Sequence, residues 1–165
     1  MPNRTAEEFL HGDHFWQWGL YNLYPKEFPE DVHYVVGKSD WKRDWNYVQP
    51  TRPDGKGGYQ GTTWTIQFDL SSELNGTAIL RLAICGARGD RVHVLVNGKP
   101  VGDTGKLPDS GVMHRDGIRG YWCERDVKFP TSLLKPGANS IQLKWDGRSW
   151  VNGVLYDYIR LENAM

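Results

Sequence analysis

The sequence predicts an all-β sandwich. Three observations carry that expectation: short runs of period-two alternation, turn dipeptides between them, and almost no helical periodicity. In Thr63-Trp-Thr-Ile-Gln-Phe-Asp-Leu70, Trp64, Ile66, Phe68 and Leu70 share one side of a strand, and Thr63, Thr65, Gln67 and Asp69 share the other. Ala78, Leu80, Leu82 and Ile84 repeat the pattern around Arg81. Val92, Val94 and Val96 repeat it before Asn97-Gly98, a strong hairpin-turn signal because both residues tolerate positive φ. Residues 121–129, 140–145 and 154–161 complete the set of predicted strands. Asn75-Gly76, Pro136-Gly137 and Asp146-Gly147 separate the runs, and residues 134–139 read as a tight turn feeding a strand. Only residues 5–10 suggest a turn of helix, with Thr5 as cap and Glu8 three residues on.

The length of 165 residues fits one domain with a core that needs no covalent staples. Twenty basic residues balance twenty acidic ones, so no broad positive field exists to attract nucleic acid or an anionic membrane. No stretch approaches the ~20 apolar residues of a membrane span. The polar N-terminus lacks the apolar region of a signal peptide, so none is expected in this chain. Two cysteines, Cys85 and Cys123, show no metal-ligand spacing and read as free buried thiols ahead of a disulfide. No cofactor is expected. Asp157, flanked by Tyr156 and Tyr158, is the sole weak metal candidate. A salt bridge to an Arg is expected there ahead of a structural Ca²⁺.

Eight Trp and eight Tyr are many for this length. Their flat apolar faces and polar tips suit binding surfaces as well as cores. Three segments read as long loops rich in Gly, Asp, Arg and aromatics: residues 37–61, 98–120 and 146–152. Loops on a rigid sandwich are where binding usually sits. The first holds Trp41, Arg43, Trp45 and Tyr47. Aromatic rings can stack on a pyranose face, and Arg can grip a uronate carboxylate through a two-pronged fork. In the second, His114, Arg115, Arg119 and Trp122 offer hydrogen bonds and a ring. These eight residues are the candidate carbohydrate contacts. The alternative use of Trp41 and Trp45 is to anchor their loop to the core. A lyase base at His114, helped by Arg115 and Tyr121, is a further reading, but such residues recur in any polar loop.

Several runs, in order, carry a resemblance. Trp18-Gly-Leu-Tyr21 comes first, then Tyr34-Val-Val-Gly-Lys-Ser-Asp40 leading to Lys42-Arg-Asp-Trp45, then Thr62-Thr-Trp-Thr-Ile-Gln-Phe68. Leu80-Arg-Leu-Ala83, Val94-Leu-Val-Asn97, Gly117-Ile-Arg-Gly120 and Tyr156-Asp-Tyr-Ile-Arg-Leu-Glu162 follow. Together they resemble the C-terminal domain of rhamnogalacturonan lyases of polysaccharide lyase family 4. The resemblance implies a galactose-binding-like jelly-roll β-sandwich over residues 15–162, behind an extension or linker at residues 1–14. It implies a non-catalytic, monomeric module for pectic polysaccharide, with rhamnogalacturonan I foremost. Its expected partners are plant cell-wall polysaccharide and the catalytic domains of a parent lyase, outside the cell or in the periplasm. A domain that only buttresses its catalytic neighbour is the alternative, and a stand-alone lyase the third. The second loop departs from the family pattern, since Asp116 and Arg119 stand where histidines flank the Gly-Ile pair.

Overall fold

The computed structural model describes residues 26, 28–46, 48–109 and 121–164. Eleven strands follow in chain order: β1 (His33–Val35), β2 (Val48–Pro50), β3 (Arg52–Pro53), β4 (Tyr59–Gln60), β5 (Thr62–Leu70), β6 (Thr77–Arg88), β7 (Val92–Val96), β8 (Lys99–Asp103), β9 (Cys123–Pro130), β10 (Gly137–Trp145) and β11 (Gly153–Ala164). One sheet has the order β1-β5-β10-β7-β8 and the other β2-β11-β6-β9, while β3 and β4 form a small hairpin. Every pairing is antiparallel except β1 with β5. The fold is the expected β-sandwich.

The alternating residues meet between the sheets. Trp64, Leu80, Leu82, Ile84, Val92, Val94, Val96, Leu143 and Trp145 are all buried in one cluster. Each such side chain contributes about 1.5–3 kcal/mol by leaving water. Ile66, Phe68 and Leu70 pack against the same cluster from the margin. Asn97 (φ 49°) and Gly98 (φ 78°) make the predicted hairpin between β7 and β8. Asn97 also donates to Leu133 O and Asn139 Oδ1 and accepts from Ser140 N, fixing the turn before β10.

The structure corrects two of the predicted loops. Residues 37–61 contain β2, β3 and β4, and residues 98–120 begin with β8. These strands carry Pro, Gly, Arg and Gln in place of clean alternation, because β2 and β8 are edge strands and β3 is two residues long. The predicted helical turn at residues 5–10, the boundary between residues 14 and 15, and the Trp18 and Gly117 motifs lie outside the described residues.

Cys85 and Cys123 are not joined by a disulfide, Cys123 buried and Cys85 half-buried with its Sγ 3.6 Å from Leu155 O. No helix among the described residues is long and apolar enough to cross a membrane.

Candidate functional site

Among the described residues, concavities that could hold a ligand occur in regions of different chemistry. The first lies where both edge strands run out. Strand β1 covers β5 only from Thr65 to Gln67, and β2 covers β11 only from Gly153 to Leu155. Beside them lies a cleft of about 490 Å³, with Tyr34 of β1 in its wall. Trp41, Trp45, Phe68, Tyr156 and Leu161 are among its lining, which is mostly apolar, and Asp157 supplies a carboxylate.

This cleft gathers several of the candidate residues. Trp41 and Trp45 line it together. Trp45 is also held edge-on by Trp64, with ring centroids 5.0 Å apart, and by Tyr34 at 5.9 Å. That is aromatic packing continuous with the core. Lys42 Nζ sits 5.4 Å from the Trp41 ring centroid. Trp122 is half exposed, and its Nε1–H donates to Asp157 Oδ2 at 3.1 Å. Among the described residues the indole, and no arginine, meets Asp157 in place of the expected salt bridge; an N–H donor satisfies a carboxylate as an Arg would. Among the described residues no group of three His, Cys, Asp or Glu is placed to hold a metal. Arg43 points into solvent and forks onto Asp44, at 2.8 and 3.1 Å. Its hydrogen bond to Asp44 raises the guanidinium's pKa and lowers the carboxyl's. Tyr47, His114, Arg115 and Arg119 lie outside the described residues.

The second region is at the loop end of the sandwich and is polar. The β3–β4 hairpin supplies Asp54, Lys56, Tyr59 and Gln60, and the β10–β11 connection supplies Asp146 and Arg148, around a hollow of about 350 Å³. Local sequence explains each wall. Asp54 Oδ1 accepts the backbone N–H of Lys56 at 2.8 Å and of Gly58 at 2.9 Å, closing the hairpin tip. Those two bonds hold the Asp54 carboxyl below the usual carboxylate range. Gly55 (φ 74°) and Gly57 (φ 89°) supply the left-handed backbone between them. Across the hollow, Asn152 Oδ1 accepts from Arg148 N and Ser149 N, and its Nδ2 donates to Arg88 O. Thr51 Oγ1 donates to Ser149 O at 2.7 Å. The connection is thus tied down on both sides and presents Trp150, which is half exposed, two residues beyond Arg148.

Beside this hollow lies another of about 340 Å³, which shares Asp146 and Arg148 and includes Gly89, Gly147 and Trp145 in its lining. The Trp145 Nε1–H is buried with no acceptor among the described residues. A Cβ on Gly147 would lie 2.7 Å from that nitrogen, and one on Gly89 2.4 Å from the ring. Glycine at both places lets the loops close onto the indole.

The hairpin-tip residues are not among the contacts the sequence predicts, which centre on the aromatic run at residues 41–47. The signal was present in Asp54-Gly-Lys-Gly-Gly-Tyr59, a turn sequence that ends on a ring. Reading it needed β3 and β4, which are too short to show alternation.

Residues 1–161 match the family described as "CBM-like: Polysaccharide lyase family 4, domain III". The chain belongs to this family. Among its relatives, a probable rhamnogalacturonate lyase B of Aspergillus flavus is 34% identical over 99% of this chain and 32% of its own length. A probable rhamnogalacturonate lyase C of Emericella nidulans is 35% identical over 87% of this chain and 18% of its own. The rhamnogalacturonate lyase B of the same organism is 26% identical over 98% and 32%. This family 4 domain thus spans a third or less of the length of these relatives. Among solved structures, a family 35 carbohydrate binding module from an environmental isolate is 21% identical and covers 67% of this chain and 75% of its own, with a TM-score of 0.40.

Proposed function

We propose that this domain is a non-catalytic carbohydrate-binding module for pectic polysaccharide, with the rhamnogalacturonan I backbone as its foremost ligand. The observation that carries the reading is the loop end. There, Tyr59 lines a hollow whose other lining side chains are carboxylates, an amide and cations on anchored turns. A pyranose presents an apolar face and a rim of hydroxyls, and this pairing of ring and polar groups answers both. The family and the rhamnogalacturonate lyase relatives supply the pectic direction. Attached to a lyase outside the cell, such a module raises the local concentration of enzyme on its polymer without altering the chemistry. Affinity electrophoresis in gels cast with rhamnogalacturonan, homogalacturonan or a neutral glucan tests this. Retardation by rhamnogalacturonan is expected; unchanged mobility in all three overturns it.

The apolar cleft favours a second role alongside the first. A surface lined by Trp41, Phe68 and Leu161 suits another protein surface better than a hydroxylated sugar. Its proposed occupant is a neighbouring domain of a parent lyase, since the relatives are three or more times longer than this chain. Replacing Leu161 by Lys is expected to abolish association with the remaining lyase domains added in trans, while gel retardation by sugar persists. Association that survives the substitution removes the cleft from that role.

A further inference from the structure

Charge pairing at the loop end is uneven. Arg52 is paired with Asp31, Arg88 with Asp109 at 3.8 Å, and Arg91 with Asp90 at 3.0 Å and Asp103 at 3.4 Å. Inside the polar hollow the acids are also engaged. Asp146 meets His93 Nε2 and Lys144 Nζ, each at 3.2 Å, and Asp54 accepts the two backbone N–H groups of the hairpin tip. The two cations that line the same hollow, Lys56 and Arg148, have no carboxylate partner among the described residues. Their backbone N–H groups are fixed by Asp54 and Asn152, so the side chains start from anchored positions.

Two unpaired cations facing one concavity, with the local acids already committed, leave a place for an external anion. Tyr59, half-buried, supplies a ring in the same hollow, and Gln60 an amide. The size suits a sugar residue, being at the lower end of ordinary ligand sites. The buried Trp145 Nε1–H in the adjoining hollow, which shares Arg148, is a further donor without an acceptor among the described residues.

We propose that this hollow is a subsite for a uronate. The Tyr59 ring stacks on the sugar's apolar face, Arg148 forks onto the carboxylate, Lys56 adds a second charge, and Gln60 meets a hydroxyl. The subsite rests on the carbohydrate-binding reading above and assigns its acid preference to two residues outside the Trp41–Trp45 segment.

Isothermal titration of the full chain tests it, using trigalacturonate and its carboxyl-reduced counterpart as probes. Wild type is expected to bind the acid about tenfold more tightly than the reduced sugar, a margin suited to a charge-assisted contact. Arg148→Gln and Lys56→Gln are each expected to remove most of that margin, leaving affinity for the reduced sugar unchanged. Unchanged melting temperatures show that the variants are folded; both side chains are exposed. Equal affinity for acid and reduced sugar, or variants that keep the margin, overturns the subsite. Rhamnogalacturonan oligosaccharides bound equally by wild type and both variants overturn the subsite and keep the module. Trigalacturonate binding that the variants lose, with no rhamnogalacturonan retardation, keeps the subsite and overturns the rhamnogalacturonan reading. No sugar binding at all overturns both.

Discussion

Gln49 and Tyr156 form a buried polar pair that joins the two sheets. The Tyr156 hydroxyl donates to Gln49 Oε1 at 2.7 Å, and Gln49 Nε2 donates to Thr62 O at 3.0 Å and Leu143 O at 2.9 Å. Gln49 lies on β2 of one sheet, and both carbonyls belong to strands of the other. A buried amide is tolerated here because its polar atoms are satisfied. Gln49→Leu leaves a hydroxyl and two carbonyls without this partner. It is expected to lower unfolding free energy by about 4 kcal/mol, read as a shift of the urea midpoint at unchanged slope.

The same pair gives an alkaline pH dependence. Burial pushes the Tyr156 hydroxyl well above its ordinary pKa of 10.0. Above that pH the unfolded chain loses a proton that the folded chain keeps, so stability is full below pH 10 and falls as pH rises beyond it. The expected slope is about 1.4 kcal/mol per pH unit for this one group. Tyr156→Phe removes that contribution; urea midpoints measured from pH 9 upward on both proteins check it, and parallel curves would count against it.

Trp45 and Arg43 are two residues apart and are expected to behave oppositely. Trp45 packs edge-on against Trp64 and Tyr34, so Trp45→Ala should cost about 3 kcal/mol through the void it leaves. Arg43 is exposed and, among the described residues, paired with its neighbour Asp44, so Arg43→Ala should leave the urea midpoint unchanged. A midpoint insensitive to Trp45→Ala would show the ring to be dispensable to the core.

Gly61 passes so close to β10 that a Cβ there would lie 1.8 Å from Trp145 O. That atom is backbone and cannot swing aside. Gly61→Ala is expected to cost about 3 kcal/mol, the upper part of the usual overpacking range, and to displace the neighbouring Gln60 from the polar hollow. Thermal unfolding together with trigalacturonate affinity reads both effects.

Acid should act on the hairpin tip. The Asp54 carboxyl is held below its usual range by the N–H groups of Lys56 and Gly58, so its contribution is present above the unfolded pKa and is lost as pH falls through the lower, folded value. Asp54→Ala is expected to weaken trigalacturonate binding at neutral pH, because Lys56 loses its anchor, and to lower the melting temperature slightly. Affinity equal to wild type would separate the hairpin tip from the ligand.

What the sequence by itself determined was the sandwich. Alternation at residues 63–70, 78–84 and 92–96 and the Asn97-Gly98 turn depend only on neighbours in the chain, and the structure returns them as β5, β6, β7 and a hairpin. What only tertiary structure decided was where the polar and aromatic side chains go. Trp41 and Trp45 line an apolar cleft whose walls come from β1, β5 and β11, a fact about strand pairing. Asp157 is met by Trp122, 35 residues away. The polar hollow joins residues 54–60 to Asp146 and Arg148, which are brought together only when β5 pairs with β10 along its whole length. Burial and pairing of a charged or aromatic group depend on which distant strand arrives beside it. Local pattern thus reported the sheets, and only their assembly separated the aromatic anchors from the unpaired cations.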